Sequence, residues 1–336
     1  MRIWKLPASL IAVIALTLLA AQPALAEDRK FHLFVEPEAY YLYGEQDEYV
    51  FYDETRNSEG LLSKLEWQER DFKLFGGKVG ASFARLGAEL QLLYAIRGVS
   101  GEMYDSDWLN YDDTKTHYSV NENELQSCFR LSFMTYFDFH PVPGYEAFSL
   151  APTAEFAYKN MVFSSTNIEG WYGVLGTDGH YAPWNSQNVV HYPNPRGQLL
   201  GVDYEKIVFY TFIGGQAKLN LVNDRLHLKL GGAVSPFCYV KTEDKHYSDL
   251  ARKHYQYYKD DINVVFRTFK GNFSTFFDIN DIISLGLNGE GLMSLTTKGS
   301  LNKFESGKGW QSYDGNWGGV SEYTLQIGVG IRINIF

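Results

Sequence analysis

Cysteine is nearly absent from the chain, 2 in 336 residues, which excludes a disulfide-stapled scaffold. Beyond the first thirty residues there is no apolar run of the roughly 18 residues that a spanning helix requires. A bundle of membrane helices is therefore excluded, although a membrane is not. Bases are scarce relative to acids: 30 Lys and Arg stand against 40 Asp and Glu, a net charge of −10. That balance disfavours nucleic acid and matches cationic peptides or proteins better. What the chain has in plenty is aromatic, with 24 Tyr, 23 Phe and 7 Trp.

Residues 1–26 read as an export signal. Arg2 and Lys5 give the positive end, Leu10 to Ala21 the apolar stretch and Ala24-Leu25-Ala26 the small-residue cleavage site. An uncleaved helical anchor is the alternative, but the apolar stretch is shorter than the roughly 20 residues a span needs. Removing Arg2 and Lys5 takes the net charge from −10 to −12. The mature chain, 27–336, shows no linker or repeat and is expected to form one domain.

The last segment carries the clearest pattern. From Tyr323 onward one parity is Tyr323, Leu325, Ile327, Val329, Ile331, Ile333 and Ile335; the other is Thr324, Gln326, Gly328, Gly330, Arg332 and Asn334. Period 2 of this kind describes a strand with one apolar face. Aromatics near its ends and a terminal Phe336 resemble the closing strand of bacterial outer-membrane barrels. An edge of an antiparallel sandwich is the plainer alternative.

Similar alternation recurs. Leu125, Phe129, Leu131, Phe133, Phe137 and Phe139 oppose Gln126, Arg130, Ser132, Tyr136 and Asp138, and Ile283, Leu285, Leu287, Met293 and Leu295 oppose Ser284, Asn288, Glu290 and Ser294. A polar lumen follows, in which Arg130, Arg332 and Glu290 are expected to pair, because a lone interior charge is costly.

Short breaks near Ala84–Gly87, Pro141–Tyr145, Leu221–Asp224 and Asp278–Asp281 alternate with long polar stretches near 45–62, 99–121, 164–201, 241–262 and 298–318. The sequence thus predicts an all-β fold: a ten-stranded antiparallel transmembrane β-barrel with short periplasmic turns, long extracellular loops and both termini on the turn side. Gly231-Gly232 and Ser235-Pro236 predict a bulge. Cys128 and Cys238 both fall within strands and are expected to remain unpaired.

Two loop roots carry chemistry. Asp105 and Asp107 sit two apart in Met103-Tyr104-Asp105-Ser106-Asp107-Trp108, as do Asp244 and His246 in Glu243-Asp244-Lys245-His246-Tyr247. In extended chain that spacing puts each pair on one face. A carboxylate beside an imidazole fixes its tautomer and leaves the other ring nitrogen to take a proton from water. Two adjacent acids raise at least one pKa and share a proton. A solvated acidic loop or a divalent-ion site is the ordinary alternative. Neither a calcium cage of six to eight oxygens nor a zinc set is apparent, and no cofactor is implied.

With these motifs the chain resembles the omptins, outer-membrane endopeptidases with a ten-stranded barrel. The likeness runs over essentially the whole mature chain: Ser63-Lys64-Leu65-Glu66-Trp67 looks like the family's second-strand segment, Arg97-Gly98 with Met103–Trp108 like its second-loop motif, and Glu243–Tyr247 like its Asp-x-His motif. The resemblance implies a peptidase active outside the cell. In it Asp244 orients His246, His246 is the general base, and Asp105 and Asp107 face it across a cleft. It also implies cleavage next to basic residues, with Glu48 at the base of the main specificity pocket and Asp113 serving the residue after the cut. Either acid is otherwise a solvated loop residue. His117 matches a family histidine, or is an ordinary loop histidine.

Two departures stand out. Thr242 occupies the position two before Asp244 where the family usually has an acid. Phe156-Ala157-Tyr158-Lys159-Asn160 replaces the family's Tyr-x-Glu-x-Arg lipopolysaccharide motif, so dependence on that lipid is not implied. The expected partners are polypeptides with basic residues and outer-membrane lipid. The rival reading is a non-catalytic barrel, an adhesin or receptor for basic proteins. A barrel lipase lacks a suitably placed Ser and His, and a porin lacks lumen, since barrels of this size fill with side chains.

Overall fold

The computed structural model describes residues 31–52, 60–192, 201–247, 255–305 and 309–335; the expected signal segment at 1–26 and Phe336 lie outside them. In chain order the described strands are β1 (Phe31–Tyr52), β2 (Leu61–Phe83), β3 (Leu86–Ala95), β4 (Gly98–Asp107), β5 (His117–Phe137), β6 (Phe148–Gly173), β7 (Val189–Tyr192), β8 (Val202–Leu221), β9 (Leu226–Tyr247), β10 (Tyr255–Val264), β11 (Thr268–Asp278), β12 (Ile283–Glu305) and β13 (Gly309–Asn334).

All the pairings are antiparallel, and β13 pairs back onto β1, so the sheet closes on itself. Closure removes the free edge that lipid would leave without hydrogen bonds. The segment count exceeds ten for local reasons. β3 and β4 both run between β2 and β5, parted only by Ile96-Arg97, and β10 and β11 both run between β9 and β12, parted by 265–267. The short β7 is an addition from the 164–201 stretch, hung on β6.

The turns fall where expected, joining β2 to β3, β5 to β6, β8 to β9 and β11 to β12. At the opposite end the polar stretches are largely strand rather than loop. β1, β4, β9, β10, β12 and β13 all extend into them, lifting the sheet beyond the lipid.

Side-chain facing follows the alternation. Leu325, Ile327, Val329, Ile331 and Ile333 are exposed on the outer wall while Gln326 and Glu322 are buried. Tyr41, Tyr43, Tyr94 and Tyr323 are also exposed, in the manner of the aromatic girdle at a lipid boundary.

One expected facing fails. Leu125 points inward into the core, because a register shift between Leu125 and Ser127 flips the parity of β5. The bulge expected in β9 is present opposite Phe212, where register slips between Thr211 and Ile213; it takes up Ser235-Pro236, while Gly231 and Gly232 pair regularly. Cys128 and Cys238 are buried free thiols.

Two layers fill the interior. At the level of the lipid, charges pair across the lumen: Arg130 with Glu290, Lys270 with Glu155, Lys159 with Glu322 at 2.6 Å and Arg332 with Glu36 at 2.8 Å. The expected pairing of Arg332 is thus made with Glu36, a partner that alternation alone does not single out. Above lies an aromatic slab in which Trp67 stacks on Tyr204 (5.0 Å between centroids, 10° between planes) and on Phe163 at 5.7 Å. With Met103, Leu93 and Met161 it plugs the barrel and forms the floor of the space above.

Candidate active site

The four central residues rise from that floor on separate walls. Asp105 and Asp107 alternate along β4, opposite Leu65 and Ser63 of β2, two and four residues beyond the slab pair Trp67 and Met103. Trp108 N donates to Leu62 O at 2.9 Å, and Thr116 N donates to Asp107 O at 2.8 Å, which fixes the top of the β4–β5 hairpin. Asn110 further ties it to the next loop: its Nδ2 donates to Tyr181 O at 2.9 Å and its Oδ1 accepts from Tyr181 N at 2.7 Å.

On β9, Asp244 lies opposite Tyr204 of β8 and Tyr258 of β10, and His246 lies opposite Val202 and Gln256. Asp244 Oδ2 and His246 Nε2 are 2.5 Å apart, a charge-assisted contact. The Tyr258 ring meets the imidazole edge-on at 5.3 Å. Between β4 and β9 the sheet runs through β2, β1, β13, β12 and β10, so the two pairs face each other across the mouth.

Electrostatics joins the walls. Burial disfavours a charged His246, but the carboxylates of Asp244, Asp105 and Asp107 outweigh it and raise its pKa. Burial and the neighbouring Asp107 push Asp105 up to about 8. Asp107 is also raised by burial, though a hydrogen bond from Ser63 and the His246 charge oppose this. Burial and the Asp107 charge thus favour the protonated form of Asp105 at neutral pH.

The remaining expected residues divide. Glu48 is buried in the cleft and accepts a hydrogen bond from Thr242 Oγ1 at 3.3 Å; burial, then Asp244 and Asp260, raise its pKa well above the usual range. Asp113 is instead exposed on the 108–116 loop. His117 packs against Tyr172 at 5.0 Å and Tyr181 at 5.2 Å, and burial lowers its pKa. Asp260, Tyr204 and Tyr172 join the site without having been expected, since only the pairing of separate strands brings them there.

Among the described residues one acidic group is close enough to hold a metal, Glu45, Asp47 and Glu66. It does not include the four central residues, and Lys64 bridges it, 3.4 Å from Asp47 and 2.9 Å from Glu66.

A closed antiparallel barrel with an apolar exterior, a plugged lumen and a cleft of acids and one imidazole at its rim is an outer-membrane β-barrel built for chemistry at its mouth rather than passage. The chain belongs to the omptin family, whose model matches residues 36–335. Among solved structures, the outer membrane protease OmpT from Escherichia coli aligns with a TM-score of 0.75 at 15% identity, over 92% of this chain and 99% of that one. The translocator domain of the autotransporter NalP from Neisseria meningitidis aligns at a TM-score of 0.33 and 10% identity, over 96% of each chain. No curated protein sequence matches. The chain is an outer-membrane protease with its active site on the extracellular side.

Proposed function

We propose that the protein hydrolyses peptide bonds next to basic residues with water activated by His246. Asp244 accepts from Nε2 and fixes the tautomer, leaving Nδ1 to take a proton from a water molecule placed between His246 and the Asp105–Asp107 pair. The water oxygen attacks the amide carbon, and the imidazolium returns the proton to the leaving nitrogen as the C–N bond breaks. Asp105, still protonated at neutral pH, donates a hydrogen bond to the oxyanion that forms on the carbonyl. No serine nucleophile or metal enters. Glu48 accepts the basic side chain before the cut, and Asp113 that of the residue after it.

One observation carries this reading: Asp105 and Asp107 from one wall and the Asp244–His246 hydrogen bond on the other all bear on a single imidazole. The test is cleavage of a fluorogenic dibasic peptide by the barrel refolded in detergent. His246→Ala is expected to lower kcat by about 10³-fold or more, the scale on which a base and its oriented partner act. Saturable peptide binding with no product from the unmutated protein would replace the reading with that of a non-catalytic receptor.

A further inference from the structure

Three carboxylates meet behind the catalytic wall: Glu48, Asp244 and Asp260 are 4%, 2% and 1% exposed. They come from β1, β9 and β10, and Asp260 is the direct cross-strand partner of Thr242. The single hydroxyl proton of Thr242 is donated to Glu48 Oε1 at 3.3 Å, and the same hydroxyl also bears on Asp260 across the strand pair. Among the described residues, neither carboxylate oxygen of Asp260, nor Oε2 of Glu48, nor the hydroxyl of the fully buried Tyr204 makes a well-formed hydrogen bond. Tyr204 sits in the field of Glu48, Asp260 and Asp244. Buried acceptors are ordinarily satisfied, so a group of them left open points to a donor that arrives from outside.

The recess is built for a carboxylate. A Cβ on Gly318 of β13 would fall 2.2 Å from Asp260 Cγ and 2.3 and 2.4 Å from its oxygens, so glycine at that point is what gives Asp260 its place. The neighbouring cation, Lys206, is engaged elsewhere: its Nζ donates to Glu322 at 3.1 Å and the two form an ion pair.

We propose that Asp260 is a specificity-determining residue which, with Glu48, receives a basic substrate side chain, supplying from the adjacent strand the acid that Thr242 does not. The inference rests on the peptidase reading and deepens it. A guanidinium fits better than an ammonium, because its rigid fork of donors can reach Asp260 Oδ1 and Oδ2 together while a further N–H meets Glu48 Oε2. Arginine is therefore preferred to lysine.

The test has two arms, both on the refolded mature barrel. In the first, peptides differing only in the residue before the cut, Arg, Lys or norleucine, are cleaved by the unmutated protein and by Asp260→Asn. The Arg-to-norleucine ratio of kcat/KM is expected to fall by about 10²-fold, and Thr242→Asp added to Asp260→Asn to restore most of it. An unchanged ratio overturns the proposal while leaving the peptidase intact.

In the second arm, argininamide binding to His246→Ala barrels is measured by calorimetry with and without Asp260→Asn. Saturable binding lost on that substitution upholds the pocket even if no peptide is cleaved; binding that is absent or indifferent to it overturns the pocket. Should Asp260→Asn not fold, Gly318→Ala, which evicts the same carboxylate, is read in both arms with the same expectations.

Discussion

Replacing Asp244 with asparagine tests the dyad with almost no change of shape. The carboxylate lies 2.5 Å from His246 Nε2 and is nearly fully buried, so its charge is poorly screened. A hydrogen bond to a charged group contributes roughly 1.5–3 kcal/mol, about ten- to 150-fold in the strength of the base. An amide can also present its NH₂ to the ring and hold the opposite tautomer, an effect that reaches about 10⁴-fold in serine-protease triads. The expected loss in kcat thus lies between about 10-fold and 10⁴-fold, with KM within roughly threefold.

The pH profile gives an independent check. The base must be neutral to act, and Asp244, Asp105 and Asp107 raise its pKa above the ordinary 6.5. The acid limb of kcat/KM should therefore lie above that value in the unmutated protein, higher than a rise between about pH 5 and 7 expected of an ordinary histidine. It should move to lower pH in Asp244→Asn, since burial then meets less opposition. The assay is hydrolysis of a fluorogenic peptide in detergent from pH 5 to 9, with circular dichroism to establish the barrel. A rate within tenfold of the unmutated one, or a limb that stays in place, would refute the role given to Asp244.

Asp105→Asn should abolish most activity and yet stabilise the barrel in alkali. Burial and Asp107 push Asp105 up to about 8 in the folded state against 3.8 for an ordinary aspartate, so the folded state binds the proton more tightly and stability falls as pH rises between those values. The urea midpoint of the variant should exceed that of the unmutated protein at pH 9 but not at pH 4. Trp67→Ala removes the centre of the slab between Tyr204 and Phe163 and should cost about 3–5 kcal/mol in urea unfolding from lipid vesicles. Arg332→Met strands the buried Glu36, 2.8 Å from the guanidinium, at about 3–5 kcal/mol; adding Glu36→Gln should recover much of that, and a loss equal to the single change would contradict the pairing.

How much of this is legible in the sequence depends on the solvent at each height. Where the wall meets lipid, one parity must be apolar along the whole strand, and Tyr323 to Ile335 shows it without a fault. Above the lipid both faces are polar, so the alternation disappears and stretches such as 241–262 read as loop, although β9 and β10 pair through most of them. Leu125 is misread for a different reason: its residue type is right, but a single slip of register reverses every facing beyond it. The Asp-x-Asp and Asp-x-His pairs are readable in the sequence because the geometry of an i, i+2 pair is local. Thr242 reveals a missing acid, whereas Asp260 is invisible, since nothing in 242 and 260 as numbers says that they are neighbours.

The slab explains how such a site can exist in a stable barrel. Below Trp67 and Tyr204, lumen charges are met by opposite charges, as Glu322 is by Lys159 and Lys206. Above it, among the described residues, Glu48, Asp260 and Asp105 each keep at least one carboxylate oxygen without a hydrogen-bond partner. Unpaired buried acids destabilise their surroundings, so the penalty must be confined to a region that the rest of the fold holds open. The paired layer and the aromatic floor do this, fixing the walls from which β1, β4, β9 and β10 rise. On the proposed reading a substrate cation gains at the mouth what folding left unsatisfied there, and the proposed selectivity for basic side chains draws on the same buried acids.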